Sequence, residues 1–503
     1  MTYTLERRSS GRSLTVPTPS QARDIALIIA LLLAAAVTGH PDGLPVKTPK
    51  AVGMSAERLA TIDRVVRRGI TAGGYPGAAV VVGRKGATIW QKGFGHLGWT
   101  SDSPEVEADK TIYDLASLTK VVGTTTAAMI LFDEHKIDLD EKVAHYLPAF
   151  TGGLKDEITV RQLLMHRSGL PAGRELWRHA HSPEEAKQMV IDTPLEYRPG
   201  TGYVYSDIGA DILGMVVEQA SGTALDLYLQ ERVFGPLGMN DTEFRPADSL
   251  VYRIAPTEVS PPRGYPVRGQ VHDENAYVQG GVTGHAGLFG TASDLAIFAQ
   301  MLLNGGTYGG VRIVADSTVR LFTTRAAGTR ALGWEVADGQ HGAGSYLSAN
   351  AFGHTGFTGT SMWIDPDREM FVILLTNRVH AARARRPAKV IADVRADLAD
   401  AAALAVTDVS LAVAEMPTSF RADRAVGWNR PLRTSKVRRS KGSSHSTSSS
   451  PARGIKKSSV RSTKKSKAVS AGKKKSAASA PHLKKKHSAG KTLAKNTTKA
   501  RTD

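Results

Sequence analysis

Two strand-like runs, Ala78–Val82 and Ala87–Lys92, flank Gly83-Arg84-Lys85-Gly86, a tetrapeptide suited to a hairpin turn. A helix-like stretch, Ser55 to Arg68, precedes them. The middle of the chain is dominated by helical spacing: Thr119–Glu134, Thr159–His166, Pro183–Asp192, Asp207–Ser221, Leu225–Val233 and Ala292–Leu303. Two further strand-like runs, Ser361–Ile364 and Met370–Thr376, come late and are separated by the turn signal Asp365-Pro366-Asp367. A last helix, Pro387 to Leu404, opens with proline at a permitted first-turn position and aligns Val390, Ile391, Val394, Leu398 and Leu404 on one face.

Strands at both ends with helices between them predict an α/β class. One antiparallel β-sheet is built from both ends and flanked by helices. The helical middle forms a second lobe, with the active site in the cleft between them. The predicted domain spans residues 48–406, followed by a linker over 407–429.

The ends of the chain differ from this body. Residues 1–40 hold Arg7, Arg8, Arg12 and Arg23, then an apolar run from Ile25 to Val37 with Ala34-Ala35-Ala36 near its end. A basic flank, a short apolar core and small residues predict a signal peptide or membrane anchor. The expected location is therefore exported: periplasmic or extracellular, with residues 25–37 as the candidate anchor. From Arg430 to Asp503 there are 23 Lys and Arg against one acid, leaving 42 basic and 46 acidic residues in 1–429. The formal charge of +18 thus belongs to the tail and not to the domain. Rich in Lys, Ser and Ala, the tail has too little apolar surface to offset its ordering entropy, and 430–503 is predicted to be disordered. Its Lys473–Lys475 and Lys484–Lys486 clusters suit anionic envelope polymers or nucleic acid, and a solvated polycation without a target gives the same pattern. With no cysteine in 503 residues, disulfides, a cysteine nucleophile and cysteine-ligated zinc are excluded.

Three short segments bear candidate chemistry. Ser117-Leu118-Thr119-Lys120 opens a run apolar all round, Val121 to Phe132, which reads as a buried helix. Three residues apart, Ser117 and Lys120 share a face. Burial is expected to lower the lysine pKa and free it for proton transfer to activate the serine. An N-capping serine beside a snorkelling lysine gives the same tetrapeptide. Next, Tyr205-Ser206-Asp207 follows Pro199-Gly200 and enters a helix, where the phenol can face a cleft or be buried with a satisfied hydroxyl. The last, His354-Thr355-Gly356-Phe357-Thr358-Gly359, runs into the strand at Ser361. Its glycines admit a ligand close to the backbone, or simply lead into a hairpin.

The ordered set Ser-x-x-Lys, Tyr-x-Asp, His-Thr-Gly resembles the serine β-lactamase and penicillin-binding protein superfamily, in its class C β-lactamase-related branch. The stretches 159–170 and 284–292 fit the same branch. The pattern His272-Asp273-Glu274-Asn275-Ala276 and the His354 box look most like penicillin-binding protein 4B-type D-Ala-D-Ala carboxypeptidases. The resemblance implies a β-lactamase/transpeptidase-like fold. In it Ser117 is the nucleophile that forms an acyl-enzyme, Lys120 takes or relays its proton, and Tyr205 is the general base. The N–H groups of Ser117 and Phe357 form the oxyanion hole. Asp207, His354, Thr355, Gly356 and Phe357 meet the substrate, with His354 replacing the cationic residue of the third box. The implied substrate is a peptidoglycan stem peptide, a β-lactam or an ester, acted on by a monomer.

Two departures narrow this. The second box often ends in Asn, whereas Asp207 only accepts when ionised. The third often begins with Lys, whereas His354 has a pKa near the point where its charge is lost. Both weigh toward a peptidase or carboxylesterase over an efficient β-lactamase. A non-catalytic envelope-binding protein is the reading from another class. No cofactor or metal is expected. There is no His-Glu-x-x-His helix, His179-Ala180-His181 is a weak metal-like pair, and no glycine loop suits a nucleotide. His166, His272 and His285 read as structural hydrogen-bonders. Ser168 lacks the leading glycine of a nucleophile elbow.

Overall fold

The computed structural model describes residues 43–100, 102–380, 387–408 and 416–424. The chain divides into units 1–435 and 436–503, and every described residue lies in the first. Residues 1–40, the apolar run within them and the basic tail fall outside the described residues.

A six-stranded antiparallel sheet carries the fold. Its strands are β1 (Gly77–Arg84), β2 (Ala87–Gly95), β3 (Glu335–Val336), β4 (Phe352–Thr355), β5 (Ser361–Asp365) and β6 (Met370–Thr376), in the order β2-β1-β6-β5-β4-β3. The N-terminal hairpin thus zips onto the C-terminal strands, with Val80 opposite Leu374 and Val81 opposite Ile373. β1 and β6 are buried along their whole length, so alternate side chains feed two cores. Val80, Val82, Val372 and Leu374 pack with Ile62, Val65 and Val66 of α1 (Thr61–Thr71). Val390, Val394 and Leu398 of the C-terminal helix Pro387–Leu404 join that core. Ala79, Val81, Ile373 and Leu375 join the larger core of the helical lobe on the other face. Each such buried aliphatic side chain contributes about 1.5–3 kcal/mol. Burial on both faces is why these strands read as continuous apolar runs instead of alternating ones.

The helical lobe contains α2 (Thr126–Asp133), α3 (Val160–Leu164), α4 (Asp207–Ser221), α5 (Glu274–Val278) and α6 (Ala292–Leu303); the C-terminal helix is α7 (Pro387–Leu404). α4, α6 and α7 keep the bounds expected from their spacing. The helix expected over Thr119–Glu134 is instead composite. A 3-10 turn over Ala116–Leu118 leads into a π-helical stretch, Lys120–Thr125, before α2 begins. The His354 box runs into the Ser361 strand: His354 and Thr355 lie on β4 itself, and 356–360 form the turn into β5.

Candidate active site

Ser117 sits in the first turn after a strained residue. Ala116 has φ 48°, a left-handed conformation costing on the order of 1 kcal/mol for a residue other than glycine. The buried Asp114 carboxylate holds it there by accepting from the Ala116 N–H at 2.8 Å. The same carboxylate accepts from the His272 N–H at 2.6 Å. A first-turn N–H has no acceptor within its own helix, which leaves the Ser117 N–H available to an oxyanion.

Lys120, 4% exposed, donates to Ser117 Oγ at 3.1 Å and to the His285 carbonyl at 3.1 Å, and pairs with Asp207 Oδ1 at 2.7 Å. Its ammonium lies 4.9 Å from the Tyr205 ring centroid. Burial pulls its pKa down, but the Asp207 carboxylate and the Tyr205 phenol outweigh this and raise it above 10.5. This corrects the expectation of a lysine freed by desolvation: the paired carboxylate keeps it a cation.

Tyr205 stands on the loop ahead of α4. The cap of that helix is Ser206, whose Oγ accepts from the Gly209 N–H at 2.9 Å. The Tyr205 hydroxyl is buried beside the Lys120 ammonium and has no other partner among the described residues. Its ring lies 4.6 Å from that of His166 and 5.8 Å from that of His354. His354 is buried, with Nδ1 against the Thr355 carbonyl at 2.9 Å and Nε2 without a partner among the described residues. Burial first, then the Arg330 and Lys120 cations, push its pKa well below 6.5. His354 thus stands at the third-box position in the cavity wall, and its surroundings disfavour the charged imidazolium.

The third box is fastened directly to the nucleophile turn. Thr358 Oγ1 donates to the Asp114 carbonyl at 2.7 Å and Thr360 Oγ1 to the Leu115 carbonyl at 3.0 Å. Gly356 permits this closeness: a Cβ there would lie 2.1 Å from Thr360 Oγ1 and 2.5 Å from the Leu115 oxygen. Phe357 is 60% exposed, stacked at 5.7 Å on His272 and covered by Arg378 at 4.3 Å.

Ser117, Tyr205, His354, Thr355, Gly356 and Phe357 line one cavity of about 350 Å³. Lys120 reaches it through its contacts with Ser117 and Tyr205, and Asp207 stands behind it, paired with Lys120. Sequence reasoning missed the three arginines in the wall, Arg330, Arg378 and Arg395. Arg330 is 7% exposed; it donates to Tyr203 Oη at 2.9 Å, pairs with Glu335 at 3.2 Å and lies 5.4 Å from the Tyr205 ring. Arg395, on α7, donates to the carbonyls of Gly356 and Thr360 at 2.6 and 2.7 Å, and burial followed by Arg378 pushes its pKa down to about 9. Arg330 Nη1 and Arg395 Nε are buried without partners among the described residues. Arg395 was detectable: it falls four residues after Ile391 and three before Leu398, on the face assigned to the core. Arg330 sits in an irregular segment with no periodic signal.

The arrangement suits acyl transfer: a buried serine–lysine contact, a phenol between two cations, and a glycine turn at the cavity wall. Comparison with known proteins agrees. The family model described as Beta-lactamase matches residues 62–396. A protein of Escherichia coli (strain K12) named "Putative D-alanyl-D-alanine carboxypeptidase" is 34% identical over 390 residues, covering 70% of this chain and 90% of its own. Among solved structures, EstCE1, described as a hydrolase with promiscuous acyltransferase activity, superposes with a TM-score of 0.55 at 24% identity, covering 67% of this chain and 98% of its own. A class C beta-lactamase gives 0.54 at 18% identity, covering 68% and 96%.

Proposed function

The chain belongs to the β-lactamase family and is a serine hydrolase, and we propose that it is a D-Ala-D-Ala carboxypeptidase whose nucleophile is Ser117. The observation that carries the choice of substrate is the arginine wall. Arg330, Arg378 and Arg395 line the cavity that Ser117 opens into, and their positive charge suits a free terminal carboxylate, which an ester lacks and a peptide acid presents.

In this reading Ser117 Oγ attacks the carbonyl of the penultimate D-Ala and its proton passes to Tyr205. Lys120, ion-paired with Asp207, donates to Ser117 Oγ and stands beside the Tyr205 ring as the fixed cation of the site. The N–H groups of Ser117 and Phe357 donate to the developing oxyanion. As the C–N bond breaks, Tyr205 returns the proton to the departing D-Ala amine, and water then hydrolyses the Ser117 ester. His354, Thr355 and Gly356 form the wall along which the substrate lies.

A D-Ala-D-Ala substrate is a cell-wall peptide, so the enzyme would act outside the cytoplasmic membrane. The Ile25–Val37 run supports export, with residues 1–40 as signal or anchor and 48–406 as the hydrolase domain. Among the described residues no helix is long and apolar enough to cross a membrane. The 430–503 tail, with its large positive charge, would then meet anionic envelope polymers; salt-sensitive retention on isolated cell walls exceeding that on DNA is the expected result.

The deciding comparison is a peptide ending in D-Ala-D-Ala as free acid against its C-terminal amide. The reading expects D-Ala release from the acid and little turnover of the amide. Equal turnover of both, or turnover of short-chain esters alone, overturns it in favour of an esterase.

A further inference from the structure

Behind Lys120 and Asp207 lies a network of charged side chains, Asp211, His285 and Asp273, that the mechanism above does not use. α4 carries Asp207 and Asp211 one helical turn apart. Asp207 holds Lys120, and Asp211 Oδ1 holds His285 Nδ1 at 2.6 Å with both side chains 2% exposed. The network reaches Lys120 through the backbone, because the His285 carbonyl accepts from Lys120 Nζ at 3.1 Å. Asp273 Oδ1 meets His285 Nε2 at 3.0 Å and also caps α5 through the N–H groups of Asn275 and Ala276. The imidazole is thus clamped between two carboxylates from two different elements. Burial works against its protonation, but Asp211 and Asp273 prevail and raise its pKa well above 6.5.

The rest of the segment is tied to the lysine helix as well. Thr124 Oγ1 donates to the Gly284 carbonyl at 2.7 Å, and the Leu288 N–H donates to Thr119 Oγ1 at 3.1 Å. At Gly284 a Cβ would sit 1.9 Å from the Ala210 carbonyl oxygen, so the segment lies directly on α4. Asp211, His285 and Asp273 do not line the catalytic cavity; Gln279 Nε2 also donates to Asp211 Oδ2 at 3.0 Å and Thr283 Oγ1 lies 3.1 Å from His285 Nδ1, so the network joins α5 and the 283–288 segment to the elements that present Lys120 and Asp207.

We propose that Asp211, His285 and Asp273 are positioning residues for the hydrolase reaction: they fix the backbone carbonyl that, with Asp207, sets the position of the Lys120 ammonium against Ser117. The inference rests on the assignment of Ser117 and Lys120 above. It adds that one of the lysine's three partners is a carbonyl whose location depends on the His285 ring held between Asp211 and Asp273. A group displaced by about 1 Å in such a site loses about 100-fold in rate.

The test measures acylation of the full-length chain by a fluorescent penicillin, with reversible pre-acylation binding and thermal melting read separately. Asp211→Asn and His285→Gln are expected to slow acylation about 10-fold or more, with reversible binding changed less than about threefold. The double variant is expected to be no slower than the slower single one, because both act through one network. Asp294→Asn, which removes a buried carboxylate bonded to Thr242 on the far side of β-strand Leu288–Gly290, is expected to lower stability without slowing acylation per folded molecule. If His285→Gln does not fold, Asp211→Asn and Asp273→Asn decide. Acylation within twofold of wild type in the single variants, or losses that multiply in the double variant, overturns the proposal. A wild type that takes no label overturns the serine-hydrolase assignment and this inference with it; labelled wild type with fully active variants overturns this inference alone.

Discussion

Asp207 Oδ1 lies 2.7 Å from Lys120 Nζ, and this contact outweighs the downward pull of burial and raises the lysine pKa. Folding raises the lysine pKa above 10.5, so the stabilisation is complete below about pH 10.5 and is lost as pH rises through the higher folded value. Asp207→Asn is expected to cost about 1–3 kcal/mol at pH 8, below the figure for a fully buried pair because the Asp207 side chain is 35% exposed. Urea unfolding of the two proteins at pH 8 checks this; equal midpoints contradict it.

His354 and His166 carry the opposite sign. Burial comes first for both, and neighbouring cations then add to it, leaving each with a folded pKa well below 6.5. The unfolded chain binds protons first as pH falls, so their neutral burial is stabilising above pH 6.5 and is lost as pH drops below it. Each contributes a slope of about 1.4 kcal/mol per pH unit between its unfolded and folded values. Urea unfolding between pH 7 and pH 4.5 is expected to show this slope reduced in His354→Gln. The pH–rate profile above pH 6.5 is expected to carry no His354 limb. His354→Lys would bury a further cation beside Lys120, Arg330 and Arg395 and is expected to melt well below wild type.

Arg330 distinguishes substrates. Arg330→Ala is expected to lower kcat/KM on a D-Ala-D-Ala peptide acid by about 10- to 150-fold, the loss of a charge-assisted hydrogen bond of about 1.5–3 kcal/mol. On a short-chain p-nitrophenyl ester, which brings no carboxylate, the change is expected to be much smaller. Equal losses on both would assign Arg330 to Tyr205 and Tyr203 instead of the substrate.

Gly356→Ala places a methyl group against Thr360 Oγ1 and the Leu115 carbonyl, the two atoms that fasten the third box to the nucleophile turn. The box must move outward and take the Phe357 N–H with it. Acylation is expected to fall about 100-fold or more, with a smaller drop in melting temperature. Acylation at the wild-type rate contradicts the assigned oxyanion geometry.

The sequence made the sheet and its long helices legible because they obey simple periods. α4, α6 and α7 show helical apolar spacing between clear caps, and β1 and β6 are uninterrupted because both faces are covered. The short strands β3, at the sheet edge, and β4 beside it were not legible, since two to four residues carry no period. Ser117, Lys120, Tyr205 and the His354 box were found as local motifs. Their charge states were not, because those depend on partners distant in sequence. Asp207 reverses the lysine shift, while Arg330, in an irregular segment, adds to burial in lowering the His354 pKa. The one shared sequence signal is a charged residue on an apolar helix face: Asp211 among Ile208 and Ile212, and Arg395 between Ile391 and Leu398.

The central claim is that Ser117 becomes acylated with Lys120 and Tyr205 beside it. Wild-type and Ser117→Ala proteins are incubated with a fluorescent penicillin or a fluorophosphonate, and the adduct is mapped by mass spectrometry of peptides. The account predicts one covalent adduct on the peptide containing Ser117 in wild type and none in Ser117→Ala. An adduct that persists in Ser117→Ala, or that maps to Ser168 or another residue, contradicts it.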